Sequence, residues 1–277
     1  GHLMKNVKTV CLIAALAGLY GCGGGGGGSA SLDLASVQGV WDSSSYSGTD
    51  LGSATKAVRS VMLKNGTAWL LLLDDLTTNN PTPIGLVKAA VTVSGQKFSG
   101  TGKRYMLDGS AASNVEVQGN VPASQQLALK FGAAANPTTL ATLAPVARFS
   151  AAASSADMTG NWQFQSTQAT AGGTTTITWN WAINSAGTLS GSNTLGCTFT
   201  GQVLPYTDPV AVFTVALNEN CAGTTRQYSG VALQNSAKSQ TTFGLTLQDQ
   251  SVGTIAVAAK VTPSCPPPGA RPPAGLS

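Results

Sequence analysis

Residue types that commonly carry chemistry are scarce in this chain of 277 residues. The single histidine is His2, at the extreme N-terminus, so neither a Ser-His-Asp nor a Cys-His arrangement can be assembled. The 11 acidic residues are scattered and lack the spacing of a calcium loop or a zinc protease. We therefore expect no enzymatic activity, no cofactor and no metal site.

Cysteine is the reactive residue type that remains, and the sequence has five of them. Cys197 and Cys221 are expected at the two ends of a β-hairpin, where a disulfide would close a loop of about 24 residues and add about 3 kcal/mol. Such a bond requires an oxidising compartment. We favour the pair Cys197–Cys221, whereas Cys265 is either a free thiol or a competitor for Cys221.

The sequence around Cys22 predicts where in the cell the protein is located. The positive charges of Lys5 and Lys8 are followed by the apolar run Val10–Leu19, which is shorter than the ~20 residues that span a bilayer. The sequence Leu19-Tyr20-Gly21-Cys22 then resembles the cleavage site of bacterial lipoproteins, which implies that Cys22 becomes the lipidated N-terminus. An ordinary secretory signal that is cut elsewhere is the alternative.

Six glycines follow Cys22, and Gly rather than Asp at the next position favours export to the outer membrane by resemblance to Gram-negative lipoproteins. A run of this composition behaves as a flexible coil. The predicted organisation comprises an expression scar and signal peptide (residues 1–21), the lipidated Cys22 with a Gly-rich tether (22–35), an N-terminal β lobe (36–150), a linker (151–156), a C-terminal β lobe (157–263) and a Pro-rich tail (264–277).

Composition separates this chain from nucleic-acid-binding proteins. Apolar residues make up 42% of the sequence and charged residues only 9%. Without Lys5 and Lys8 of the signal, 13 basic residues face 11 acidic ones, and no basic cluster exceeds Lys103-Arg104. Nucleic acid is therefore not an expected partner. The expected contacts are the membrane, through the lipid anchor, and a protein or glycan.

Strand patterns dominate both lobes. Residues 58–63 and 68–73 flank an Asn-Gly turn at Asn65, which predicts a hairpin. Many further short strands are separated by Gly, Asn, Pro and Asp, and no long helical periodicity is present. We predict an all-β protein with two tandem antiparallel β-barrel-like lobes of about eight strands each, and an extra hairpin around Val58 to Asp75 in the first lobe.

Two related openings suggest a tandem duplication, because Gly39-Val40-Trp41 and Gly160-Asn161-Trp162 begin the two lobes. This pattern resembles that of the lipocalins and the wider calycins, in which the tryptophan plugs the closed end of a barrel. We interpret Trp41 and Trp162 as structural plugs.

Three further tryptophans are candidates for a binding surface: Trp69, Trp179 and Trp181. Trp179 and Trp181 lie two residues apart on one predicted strand and so share a face. If that face points inward they are core or pocket lining, and if outward they form an exposed aromatic patch. The unbroken apolar run Trp69–Leu73 predicts a strand covered on both faces, either between the lobes or against a partner.

The segments Gly196–Gly201 and Tyr228–Ala232, together with Cys221, resemble a group of uncharacterised proteobacterial outer-membrane lipoproteins with tandem small β-barrel lobes. The resemblance implies a lipid-anchored protein that is displayed at the cell surface. The function expected from the sequence is that of a binding or adhesion module. The alternatives are a lipocalin-like carrier of a small apolar ligand and an inhibitor of a lysozyme-type enzyme.

Overall fold

The computed structural model describes residues 33–43, 46–47, 57–76, 81–107, 110–121, 126–133 and 137–262. Within these residues the chain is almost entirely β-structure and forms two antiparallel barrels in tandem, as predicted. The helices are a single turn each: α1 (Leu34–Val37), α2 (Ser155–Met158) and a 3₁₀ turn at Ala147–Phe149. None of the described helices has the length and apolarity that crossing a bilayer requires.

The first barrel is a meander of eight strands closed by pairing of β1 with β9, and the short β2 continues the edge of β1 along β9. Its strands are β1 (Gly39–Ser43), β2 (Tyr46–Ser47), β3 (Ala57–Met62), β4 (Thr67–Leu73), β5 (Pro83–Ser94), β6 (Lys97–Met106), β7 (Ser113–Asn120), β8 (Leu127–Ala133) and β9 (Thr139–Pro145).

The second barrel also has eight strands and is closed by pairing of β10 with β17. Its strands are β10 (Gly160–Thr170), β11 (Gly173–Ile183), β12 (Thr188–Asn193), β13 (Thr198–Pro205), β14 (Phe213–Cys221), β15 (Thr224–Gln234), β16 (Gln240–Leu247) and β17 (Gly253–Val261).

The hairpin predicted around the Asn-Gly turn is present as β3 and β4. The prediction that it is an extra element of the first lobe is wrong. Both barrels have eight wall strands, so in the order of strands β3 and β4 correspond to β11 and β12 of the second barrel. The last strand of the first barrel ends at Pro145, and the chain then turns into the 3₁₀ helix.

The two barrels begin with the same local structure. In each, a one-turn helix is followed by a glycine with positive φ and then by the tryptophan, and φ is 142° at Gly39 and 139° at Gly160. The indole N–H donates to a carbonyl four residues earlier in both barrels, at 2.9 Å from Trp41 and 2.8 Å from Trp162. Because an unpaired buried N–H is costly, each bond fixes its ring at the end of the barrel.

Strand β4 explains how the barrels pack together. Leu70 and Leu72 point into the first barrel, while Trp69, Leu71 and Leu73 point out of it and remain buried. The second set belongs to an apolar cluster that also contains residues of the second barrel, which we call the interbarrel core; its members there are Val210, Val212, Val231 and Leu233.

Polar contacts border this core. The Tyr105 hydroxyl donates to the carbonyl of Gln250 at 2.7 Å, and Arg148 Nη1 donates to the carbonyl of Gln234 at 2.6 Å. Two barrels joined by a shared apolar core and by such bonds are expected to behave as one unit.

Candidate functional site

The joint between the first and last strands differs between the two barrels. In the first, β9 pairs with β1 and then again with β2, as far as Ser47. In the second, β10 pairs with β17 only over Asn161–Gln163. Beyond that point β10 continues beside β11 to Thr170, and β17 lies beside β16 back to Gly253. The opening between residues 164–170 of β10 and 253–258 of β17 is named here the side slot.

The backbone of β10 presents hydrogen-bonding groups to this opening. Thr194 N donates to Thr178 O, so the backbone of Thr178 faces β12 and not β10. Thr178 stands opposite Gln165 in the β10–β11 register. Since the direction of backbone groups alternates along a strand, those of Gln165, Thr167 and Ala169 face the side slot.

The opposite edge of the slot follows from the same alternation on β17. Lys260 N donates to Ser239 O, so the backbone of Lys260 faces β16. The backbone groups of Gly253, Ile255 and Val257 therefore face the slot. This edge also borders the first barrel, because Ile255 packs against the interbarrel core.

Aromatic rings form the inner wall behind the slot. Phe164 and Trp179 are stacked, with centroids 4.8 Å apart and planes 7° apart. Trp181 meets Phe164 edge-on at 4.9 Å and Phe243 edge-on at 5.2 Å. Trp181 also lies 5.7 Å from Phe199. Edge-on and stacked pairs of this kind stabilise the wall beyond the apolar area that they bury.

This aromatic wall bounds a cavity of about 500 Å³, within the ~300–1,000 Å³ range of small-molecule sites. Pro83 and Leu107 of the first barrel line its border. Its polar lining includes Glu219 and Tyr228. Burial raises the pKa of the Tyr228 phenol, the charge of Glu219 adds to the increase, and Arg226 opposes it. The phenol is therefore neutral at physiological pH.

Trp181 supplies an unsatisfied donor in this wall. The residue is 2% exposed, and its Nε1 has no hydrogen-bond partner among the described residues. An indole N–H can only donate, and a buried donor without an acceptor costs about 1–3 kcal/mol.

The disulfide lies at the strand ends nearest the β10–β11 turn. Cys197 is bonded to Cys221, the pair favoured from the sequence. Cys197 directly precedes Thr198 and Cys221 directly follows Asn220, and these two neighbours form the end pair of the β13–β14 register. Cys197 belongs to the core of the second barrel. The bond therefore fixes the end of the barrel wall on the side of the aromatic cavity.

The structure corrects one of the three candidates for a binding surface, Trp69, and the other two line the cavity. Trp69 is 3% exposed in the interbarrel core, where Lys88 Nζ lies 5.0 Å from its ring centroid, because β4 is covered on both faces. Trp181 is buried in the second barrel because its strand face points inward. Trp179 shares that face but is only partly buried, and it lines the cavity. Trp179 and Trp181 are thus brought together at the cavity, and Trp69 lies apart from them.

The other predicted residues lie as follows. Trp41 and Trp162 are buried at the starts of their barrels. Cys22 and Cys265 lie outside the described residues. The described part of the chain contains no group of three or more His, Cys, Asp or Glu side chains able to hold a metal ion.

Sequence reasoning missed Phe164 and the slot itself. Phe164 could have been found, because it lies two residues after Trp162 on one strand and therefore shares its inward face. The slot could not have been found, since it depends on which residues of β10 and β17 leave the joint, and both segments have ordinary strand patterns.

The fold and the site together define a two-barrel protein with a side opening in the second barrel. No protein-family model matches the chain, and no curated protein matches it. A solved structure, that of isotype 1 transferrin binding protein B from serogroup B Neisseria meningitidis, matches over 80% of this chain and 76% of that chain, at 11% identity and a TM-score of 0.24.

Proposed function

We propose that this chain is a non-catalytic binding module, lipid-anchored through Cys22 in a bacterial outer membrane and displayed at the cell surface, which binds its partner at the side slot. The observation that carries this proposal is the short joint between β10 and β17, which leaves an aromatic wall accessible from the side of a barrel. Sites that bind by shape and apolar contact combine such a wall with a few polar groups.

The chemistry of the cavity favours binding over catalysis. Glu219 and Tyr228 are its ionisable lining residues, and the phenol is held neutral. A single carboxylate beside a neutral phenol lacks the paired acid and base of a hydrolytic site. The low charge content of the chain, 9%, also suits recognition through apolar contacts and neutral hydrogen bonds.

A fluorescent apolar probe tests the slot as a binding site. N-phenyl-1-naphthylamine is titrated into the folded protein and into Thr254→Trp, which places an indole among the residues lining the cavity. Thr174→Trp, at an exposed position of β11 that does not line the cavity, is the matched control. We expect at least tenfold weaker binding to Thr254→Trp and unchanged binding to the control. Equal binding to all three proteins would reject the slot.

The anchor requires its own test. Labelled palmitate is expected to enter the wild-type protein in cells and to be absent from Cys22→Ala. Protease treatment of intact cells should remove the barrels if they are displayed outside. Protection of the barrels from the protease would reject surface display and leave the binding site unaffected.

A second candidate function is that of a carrier for a small apolar ligand held inside the second barrel. The cavity volume and the stacked rings of Phe164 and Trp179 favour it, since an apolar ligand in the cavity would contact both. Native mass spectrometry of the purified protein would then show a bound mass that is missing from Thr254→Trp. A bare protein mass in both would count against a carrier.

A further inference from the structure

The free edge of β10 lacks the features that normally prevent a strand from pairing with other chains. Exposed edges are usually protected by lysine, proline, a bulge or a covering element. Residues 165–170 are all exposed, and their sequence, Gln-Ser-Thr-Gln-Ala-Thr, contains neither a charge nor a proline. The β10–β11 pairing is also regular from Gly160 to Thr170, without a bulge.

We propose that the side slot binds an extended polypeptide segment of a partner protein, which adds a strand to the edge of β10 and places an apolar side chain in the aromatic cavity. The inference rests on the proposed function, since it names the class of partner that occupies the same slot. Strand addition gains affinity from main-chain hydrogen bonds and specificity from pockets for alternate side chains, and the slot offers both.

The spacing of the free backbone groups fits an extended chain. Gln165, Thr167 and Ala169 each present an N–H and a C=O to the slot, and at ~3.4 Å per residue this row is about 14 Å long. A partner segment of about five residues in strand conformation would satisfy it. Only an extended backbone presents alternating donors and acceptors at this repeat.

The register identifies what the added strand would replace. Continuing the β10–β17 pairing past Gln163 would place Gln165 opposite Val257 and Thr167 opposite Ile255. These pairs are not formed. An added strand would therefore take the position beside β10 that β17 would occupy if the β10–β17 pairing continued, and every second side chain of that strand would face the cavity.

The aromatic wall determines which side chain the partner supplies. Phe164 and Trp179 form the part of the wall next to β10, and Phe164 belongs to the slot itself. An apolar side chain that enters from the added strand would contact both rings. Glu219 leaves a negative charge in the lining, so an acidic residue at the inward position would be excluded.

The C-terminal tail of this chain and a second copy of the chain are both poor candidates for the added strand. Strand β17 ends at the joint rather than at the slot, and the six prolines that follow it in the sequence, at 263, 266–268, 272 and 273, lack the N–H that strand pairing needs. A second copy pairing through β10 would present Ser166, Gln168 and Thr170 to the cavity, which are all polar. A partner in trans with an apolar residue is the better match.

Selection from a displayed library of random decapeptides tests the inference on the full folded protein. Enriched peptides are measured against Thr167→Pro, which removes one N–H of the free edge and leaves the β10–β11 bonds intact, since proline is accepted where an edge N–H faces outward. Thr167→Ala, which keeps the N–H, is the matched control. We expect at least tenfold weaker binding to Thr167→Pro and less than twofold change for Thr167→Ala.

A second measurement does not depend on the folding of a variant. Peptides N-methylated at one position at a time are expected to lose more binding at alternate positions than at the intervening ones, because only every second amide of an added strand bonds to the long free edge of β10. Absence of enriched peptides, equal binding to Thr167→Pro, or N-methylation without alternation would each overturn the inference.

The remaining outcomes separate the hypotheses. A dimer in sedimentation analysis that disappears in Thr167→Pro would make a second copy the occupant and overturn the assignment to a partner. If N-phenyl-1-naphthylamine binding is blocked by Thr254→Trp while no peptide is selected, the strand-addition inference fails and the proposed function stands. If the probe binding is also unaffected by Thr254→Trp, the proposed function fails as well.

Discussion

Two buried tryptophans of the second barrel differ in one respect that can be measured. Trp162 is fully buried and donates from Nε1 to the carbonyl of Met158 at 2.8 Å, whereas Trp181 is 2% exposed and its Nε1 has no partner among the described residues. Substitution by phenylalanine removes the same atoms from both. The polar difference between the two sites is the hydrogen bond that Trp162 makes and Trp181 lacks.

The expected difference follows from that bond. Trp162→Phe leaves a buried carbonyl without its donor, which costs about 1–3 kcal/mol. Trp181→Phe instead removes an unpaired buried donor and so relieves a penalty of the same kind. Trp162→Phe should therefore be the less stable variant by at least about 1 kcal/mol, and each kcal/mol corresponds to a fall in Tm of about 2–4 °C for a protein of this size.

Urea unfolding followed by far-UV circular dichroism is the appropriate assay, because it does not depend on the fluorescence of the deleted indole. The slopes of the transitions must agree for the free energies to be comparable. Trp41→Phe in the first barrel provides a repeat, since Trp41 makes the equivalent bond to Val37. Equal stability of Trp162→Phe and Trp181→Phe, within about 0.5 kcal/mol, would refute the assignment of a bond to one and an unpaired donor to the other.

Three further predictions concern the disulfide, the interbarrel core and Tyr228. Replacing Cys197 and Cys221 by serine should lower the free energy of unfolding by about 3 kcal/mol; a reductant should destabilise the wild type alone, and equal sensitivity of the variant would contradict this. Leu86→Ala, at a fully buried position of the interbarrel core, should cost about 2–5 kcal/mol and lower the unfolding temperature of both barrels in calorimetry, whereas an effect on one barrel would show that they unfold separately. Burial raises the pKa of the Tyr228 phenol in the folded state, so above about pH 10 the unfolded state ionises first and the free energy of unfolding falls. Tyr228→Phe should therefore lose less stability than the wild type between pH 9 and 11. An unchanged pH dependence in the variant would exclude this contribution.

The fold class was predictable because strand patterns and turns are local. The Asn-Gly turn at Asn65 predicted the β3–β4 hairpin, and the unbroken apolar run of β4 predicted burial on both faces, which the interbarrel core explains. The Gly-x-Trp repeats could be recognised because each tryptophan bonds to a residue close to it in the sequence. The helix before each tryptophan supplies the carbonyl to which its indole donates.

The errors came from features that depend on distant parts of the chain. The extra hairpin was inferred from unequal spacing between similar segments, although the strands that correspond by order differ in length. Trp69 was a candidate for a binding surface because a sequence does not reveal whether a second barrel or another molecule covers an outward face. The side slot depends on the unequal ends of a pairing between residues about 100 positions apart.

That long-range pairing has a consequence for the order in which the second barrel forms. Each of the other strand pairs of the second barrel joins segments that are neighbours in the chain, whereas Asn161 and Val261 are about 100 positions apart. Closing a long loop costs more entropy than closing a hairpin, and three residue pairs repay little of it. We expect the β10–β17 pairing to form last and to open first. In native-state hydrogen exchange, the amides of Asn161 and Gln163 should therefore lose protection before those of β13 and β14. The second barrel can thus open between β10 and β17 while its other strand pairs remain formed.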